Sequence, residues 1–336
     1  MSNRTTILVI GAGPCGLAVG AAARAAGLPC VLLEKGPVVS SIERYPIDMT
    51  FFSTADHLEI RGVPFITDGD KPTRSQALNY YRRIVEHFDL DVRQYEKVIR
   101  VERLDAEFAV HTSRAGGTEG SYRADSLVIA TGYFDTPNLL EVEGEELPKV
   151  THYFREPHRY FDQDVLVVGG GNSAVEAALT TWRAGARVTL VHLADDFDRG
   201  VKPWVLPDVR NRVTSGEIEV VWASRVIAIE PDRVRIGPVN GGAERWISND
   251  FVLAMTGFRP DPRLLEALGV QIDSTTGVPV HDPATMETTV PNLFIAGVLA
   301  AGFDANRIFI QNGREHGDLI VDSLRTRLVD EVLRPG

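Results

Sequence analysis

The chain holds two thiols, Cys15 and Cys30, and one of them lies in a glycine-rich turn. Cys15 is the fifth residue of Gly11-Ala12-Gly13-Pro14-Cys15-Gly16, which joins an apolar run to a helical pattern. A helix N-terminus favours the thiolate, the form that attacks a disulfide. A pyrophosphate bound at the same turn works the other way, since its charge disfavours a second anion. Ser173 occupies the matching place in a second copy of the turn, so the position also reads as one that wants a small residue. Cys15 is thus the candidate catalytic residue, with packing as its rival role. Cys30 starts a core strand in GLPCVLLEK, where a buried cysteine is usually inert.

The second copy becomes visible when the sequence is slid by 158 positions. ILVIGAGPCGLAVGAAARAAGLPCVLLEK (7–35) then falls on VLVVGGGNSAVEAALTTWRAGARVTLVHL (165–193) without a gap. Gly11 meets Gly169, Gly13 meets Gly171, Gly16 meets Ala174 and Gly27 meets Gly185. Each copy reads strand, G-x-G-x-x-G/A, helix, glycine, strand. One glycine fingerprint is weak, but two in full β-α-β context predict two dinucleotide sites. The first glycine of each allows the sharp turn. The second admits a pyrophosphate, and the third small residue lets helix and strand pack. The anion then rests on the helix N-terminus, where Pro14, Cys15, Asn172 and Ser173 sit.

The copies diverge where the second strand ends. The first ends at Glu34, followed by Lys35, and a carboxylate there accepts from ribose hydroxyls. The second has His192, with Arg199 and Lys202 close behind, a set that suits a 2′-phosphate. FAD is therefore expected at the first site and NADPH at the second. Asp195, Asp196 and Asp198 share the second loop and compete for its cations.

These sites imply an α/β fold with two Rossmann-like domains, the NADPH domain inserted into the FAD domain. Residues 1–138 form the first part of the FAD domain, 139–257 the NADPH domain and 258–336 the second FAD part. DSLVIATGYFDTPN (125–138), with Thr131 and Gly132, and DFVLAMTGFRPDP (250–262) are strands running into T-G turns at the two crossings. VPNLFIAGVLAAGFDANRIFIQNG (290–313) predicts a strand, a glycine turn at Gly297, and a helix starting near Ala305 and Asn306 and running to about Leu333. Its positive end would face a reduced flavin.

Composition narrows the partners. The net charge is −11 with no run of five like charges, which argues against nucleic acid. No apolar run approaches 18 residues and no secretory h-region is seen, so neither membrane nor export is expected. Two cysteines among 336 residues suit a reducing cytoplasm. No metal-ligand spacing is present.

The arrangement resembles the low-molecular-weight thioredoxin reductases, except that their C-x-x-C pair is missing, which excludes a dithiol relay. GAGPCGL, EKGPVVSSIERYP, FFSTADHLEIRGVPF, KPTRSQALNYYR, VTHYFREPHRYFDQDVLVVGGGNSAVEAAL, VKPWVLPD and AGVLAAGFDANRIFIQNGREHG together resemble the bacillithiol disulfide reductases, the YpdA-like family, from end to end. The resemblance implies FAD, NADPH, a cytoplasmic setting, a homodimer, and reduction of the disulfide of bacillithiol, a small glucosaminyl-malate thiol. It also implies a cysteine at position 15.

A substrate with malate carboxylates needs cations. Arg44 beside Tyr45, Arg61, Lys71, Arg74 and Arg307 are the candidates, each also readable as a solvated surface charge. His57 is a candidate proton donor or a capping residue, and Trp204 a cleft cover or ordinary packing. Three rivals share the pattern. A flavin monooxygenase fits THYFREPHRYF, with His152 in its linker, but not the preceding Leu147-Pro148-Lys149. A ferredoxin- or flavodoxin-NADP reductase would want a cationic face. A non-catalytic nucleotide sensor would not need two fingerprints.

Overall fold

The computed structural model describes residues 3–304 and 306–333. The first chain segment carries β1 (Asn3–Ile10), α1 (Pro14–Ala25), β2 (Cys30–Leu33), α2 (Ser40–Glu43), α3 (Arg74–His87), β3 (Asp91–Arg93), β4 (Glu96–Arg103), β5 (Phe108–Arg114) and β6 (Glu119–Ile129). The middle segment carries β7 (Val150–Thr151), β8 (Asp164–Val168), α4 (Asn172–Arg183), β9 (Arg187–Val191), α5 (Leu206–Thr214), β10 (Ile218–Val221), β11 (Ser224–Ile229), β12 (Arg233–Pro238), β13 (Arg245–Ser248) and β14 (Phe251–Ala254). The last carries α6 (Arg263–Ala267), β15 (Leu293–Ile295), α7 (Ile310–Gly313) and α8 (His316–Leu333).

The chain divides into two compact units. One comprises Met1–Glu43, Asp48–Thr136 and Arg259–Gly336, and the other Arg44–Ile47 and Pro137–Phe258. The inserted unit thus includes four residues from early in the chain, which no composition shift announces.

The first unit is built on a seven-stranded sheet ordered β3-β2-β1-β6-β5-β4, with β15 also paired to β6. β3, β2, β1, β6 and β15 are parallel, and β6, β5 and β4 form an antiparallel meander. β1 turns apolar in its second half, Ile7–Ile10, and the consecutive Ile7, Leu8 and Val9 are fully buried, as a parallel strand covered on both faces requires. α1 in turn lies under α8, so close that a Cβ on Gly317 would stand 2.6 Å from the Ala18 carbonyl carbon. The inserted unit has a parallel sheet, β10-β9-β8-β14-β7, and a separate antiparallel sheet, β11-β12-β13. Its core gathers Val165, Val167, Leu190 and Leu253 under α4.

One expected element is different. No single helix runs from near Ala305 to Leu333. Gly297–Ala301 is a 3-10 turn, α7 starts only at Ile310, and α8 starts at His316. Polar side chains divert the backbone: Asp304 accepts from Asn306 N, and Asn312 accepts from Phe309 N while donating to Arg307 O. Ala305 itself lies outside the described residues.

Candidate functional site

Both glycine turns have the shape a dinucleotide needs. In the first, Gly11 turns at φ +108°, and a Cβ there would stand 2.4 Å from Ala130 O. A Cβ on Gly16 would stand 2.0 Å from Gly11 O. Gly13 meets nothing within 4 Å, so its backbone faces open space. α1 has no side-chain cap and no acid in its first turn, and its first N–H groups stay available for an anion. This fits a pyrophosphate. Thr131, exposed, and Gly132, at φ +70°, form the turn after β6 beside Gly11.

Glu34 follows β2 and is buried at 6% exposure. Its Oε2 accepts from Ala12 N at 2.9 Å, and its Oε1 from Gly36 N at 3.0 Å and Ser40 Oγ at 3.1 Å. The carboxylate therefore stitches the glycine turn to the end of β2. Lys35 points outward and pairs with Asp135 at 2.5 Å.

Cys15 does not face open space. A Cβ built on Gly297 would lie 2.9 Å from its Sγ and one on Gly313 3.0 Å away, so the sulfur is packed between the turn after β15 and the end of α7. Some of the residue remains exposed, but the sulfur is enclosed by protein, and burial pushes the thiol up to about 12. Cys30 is likewise pushed up to about 12, by burial first and Asp91 second. Gly297, at φ +74°, donates to His316 Nδ1 at 3.2 Å. Burial, with a smaller push from His281, lowers His316 to about 4. Asn306 is exposed.

The second turn repeats the pattern with other partners. Gly169 turns at φ +133° and would place a Cβ 2.5 Å from Met255 O. α4 is also uncapped by a side chain. Gly171 is followed by Asn172, whose Nδ2 donates to Gly200 O and whose Oδ1 accepts from Lys202 N, both at 2.9 Å. Asn172 thus holds the loop rather than presenting its amide. Ser173 is exposed and Ala174 fully buried. His192 follows β9 and is 9% exposed, its ring beneath Gly170 and edge-on to Trp222 at 6.2 Å. Its Nε2 lies 3.4 Å from Asp198 Oδ1 and completes no hydrogen bond. Arg199 is exposed and, among the described residues, in no ion pair, while Arg210 grips Asp196.

Most of the candidate substrate cations are engaged. Arg61 pairs with Asp318, and Arg74 donates to the Ile42 and Glu43 carbonyls. Arg44, in the inserted unit, lies over Tyr153 at 5.5 Å. Lys71 is half-buried and Arg307 is exposed. His57 is exposed, with Nδ1 3.0 Å from Thr54 Oγ1, and Trp204 is 55% exposed. Sequence reasoning missed Gly313 and His316 around Cys15. It also missed that Asp198 reaches the glycine turn, where its Oδ2 would lie 3.2 Å from a Cβ on Gly171. Only the glycine at 313 hinted at a close approach. Among the described residues no group of three His, Cys, Asp or Glu is placed to hold a metal, and no helix is long and apolar enough to cross a membrane.

Residues 8–297 match the family model described as pyridine nucleotide-disulphide oxidoreductase. Bacilliredoxin reductase Bdr of Bacillus subtilis is 44% identical over 95% of this chain and 97% of its own. The bacillithiol disulfide reductase Bdr (YpdA) of Bacillus cereus has a solved structure with TM-score 0.94 at 44% identity, covering 96% of this chain and 99% of its own. The Staphylococcus aureus counterpart has TM-score 0.92 at 42% identity, covering 97% and 99%.

Proposed function

The chain belongs to the pyridine nucleotide-disulphide oxidoreductase family, and from that premise we propose that it reduces the disulfide of bacillithiol. It is an oxidoreductase that uses FAD and NADPH. The proposed overall reaction takes NADPH, a proton and bacillithiol disulfide to NADP⁺ and two bacillithiol thiols. The observation that carries the reading is the pair of uncapped helix N-termini behind glycine turns, in a chain whose two cysteines cannot form a C-x-x-C relay. FAD, when bound, supplies the two-electron step.

In this reaction the FAD pyrophosphate rests on Gly11, Gly13, Pro14, Cys15 and Gly16. Glu34 and Lys35 take its ribose side, Thr131 and Gly132 the adjoining turn, and Gly297 and Asn306 the far side. Gly169, Gly171, Asn172, Ser173 and Ala174 take NADPH, with Arg199 and Lys202 on the 2′-phosphate and His192 backing the turn. Apart from Arg44–Ile47, which fold with the inserted unit, residues 1–138 and 258–336 act as the flavin domain and 139–257 as the nicotinamide domain, in a cytoplasmic homodimer. Cys15 takes part in thiol exchange only once its sulfur leaves Gly297 and Gly313, because a thiol near 12 is almost wholly protonated at neutral pH.

Two relatives' names point to two acceptors, bacilliredoxin and bacillithiol disulfide. Anaerobic stopped-flow tests the proposal: NADPH bleaches the flavin, and bacillithiol disulfide, added next, restores its colour. Recolouring of wild type but not Cys15→Ala makes Cys15 the relay. Equal recolouring leaves it a packing residue. No recolouring by the disulfide overturns the substrate, and bacilliredoxin is then tried in its place.

A further inference from the structure

The loop after β9 holds a carboxylate against the second glycine turn. Asp198 N donates to Gly170 O at 3.0 Å, which fixes the residue over the glycine turn. Its Oδ2 would lie 3.2 Å from a Cβ on Gly171, and its Oδ1 is 3.4 Å from His192 Nε2. That imidazole is nine-tenths buried and has an unpartnered nitrogen turned toward the same carboxylate. Buried Phe197 and Val201 anchor the loop on either side of Asp198. Asp196 does not compete for the position, since Arg210 holds it.

We propose that Asp198 tunes coenzyme choice at this turn, accepting from a ribose 2′-hydroxyl and repelling a 2′-phosphate, so that the preference for the 2′-phosphorylated coenzyme is held down. The strand-end acid that ordinarily marks an NAD site is absent, since His192 stands there, and Asp198 supplies an equivalent carboxylate from six residues further on. Arg199 and Lys202 pull the other way, and the two effects offset each other. The inference rests on the second turn being the nicotinamide-coenzyme site.

The test is calorimetric titration of oxidised holoenzyme with adenosine 2′,5′-bisphosphate and with adenosine 5′-monophosphate. The ratio of the two affinities is compared among wild type, Asp198→Ser, Asp198→Asn and the control Asp195→Ser. A thermal melt matching wild type confirms that both units of each variant are folded. Both Asp198 variants are expected to shift the ratio toward the bisphosphate by at least about fivefold, and the control to leave it alone. A smaller shift, or an equal one in the control, overturns the inference. Binding of neither nucleotide to wild type overturns the assignment of the turn itself, and the inference with it.

Discussion

The two glycine turns share a motif but are held in place differently. At the first, the residue after the second strand is a buried carboxylate bonded to the turn's own backbone. At the second, the same place is a buried imidazole with an unpartnered nitrogen, faced by an exposed carboxylate from a neighbouring loop. The first turn is tied to the end of β2 by its own hydrogen bonds. The second is finished by a loop whose position rests on Asn172 and two apolar anchors. The same motif therefore offers a bare helix N-terminus at both turns, while its surroundings give the two turns different partners.

The largest expected break in that comparison comes from exchanging the third small residue. Gly16→Ala would drive a methyl to 2.0 Å from Gly11 O, although alanine is native at the matching position 174. The variant should purify without visible flavin absorbance, or insoluble, whereas Ala174→Gly should keep its flavin and lose about 1 kcal/mol or less in denaturant titration. Next in size, Glu34→Ala strands the Ala12 and Gly36 N–H groups in a buried site. A loss of about 3 kcal/mol, with weakened FAD retention, is expected. His192→Asn, its counterpart, should retain flavin and alter only nucleotide affinity, measured by calorimetry.

A pH experiment probes the Gly297 side of the first site. His316 is held neutral, lowered from 6.5 to about 4 by burial. Between those values the unfolded chain binds a proton that the folded chain refuses. Stability is therefore full above about pH 6.5 and falls as pH drops toward 4. The loss should approach about 3 kcal/mol. Thermal melts of His316→Asn, whose amide oxygen can still accept from Gly297, should show a flatter acid limb. The smallest effect is expected from Asn172→Ala. It frees the Lys202 backbone and should raise the KM for NADPH a few-fold without changing flavin content.

Much of this was legible because period and glycine spacing are local. The doubled strand-turn-helix, the T-G turns and the loss of the C-x-x-C pair follow from neighbours in sequence. What sequence reading missed depends on long-range closure. The helix expected near Ala305 yields to hydrogen bonds from Asp304 and Asn312 that outbid the helical pattern. The enclosure of Cys15 needs Gly297 and Gly313, some 300 residues downstream. Arg61 and Arg74 read as free cations because their partners, Asp318 and the carbonyls of α2, carry no sequence mark.

The four residues Arg44–Ile47 bear on modularity. They belong to the inserted unit, where Ile47 N donates to Arg155 O at 2.9 Å and Arg44 stacks on Tyr153. A graft of residues 137–258 onto another scaffold would leave this segment behind. It would take the Arg44 guanidinium from the Tyr153 ring and the Ile47 N–H from the Arg155 carbonyl. A transplantable nucleotide module from this chain must therefore be discontinuous, with a short peptide supplied in trans or fused through a designed linker.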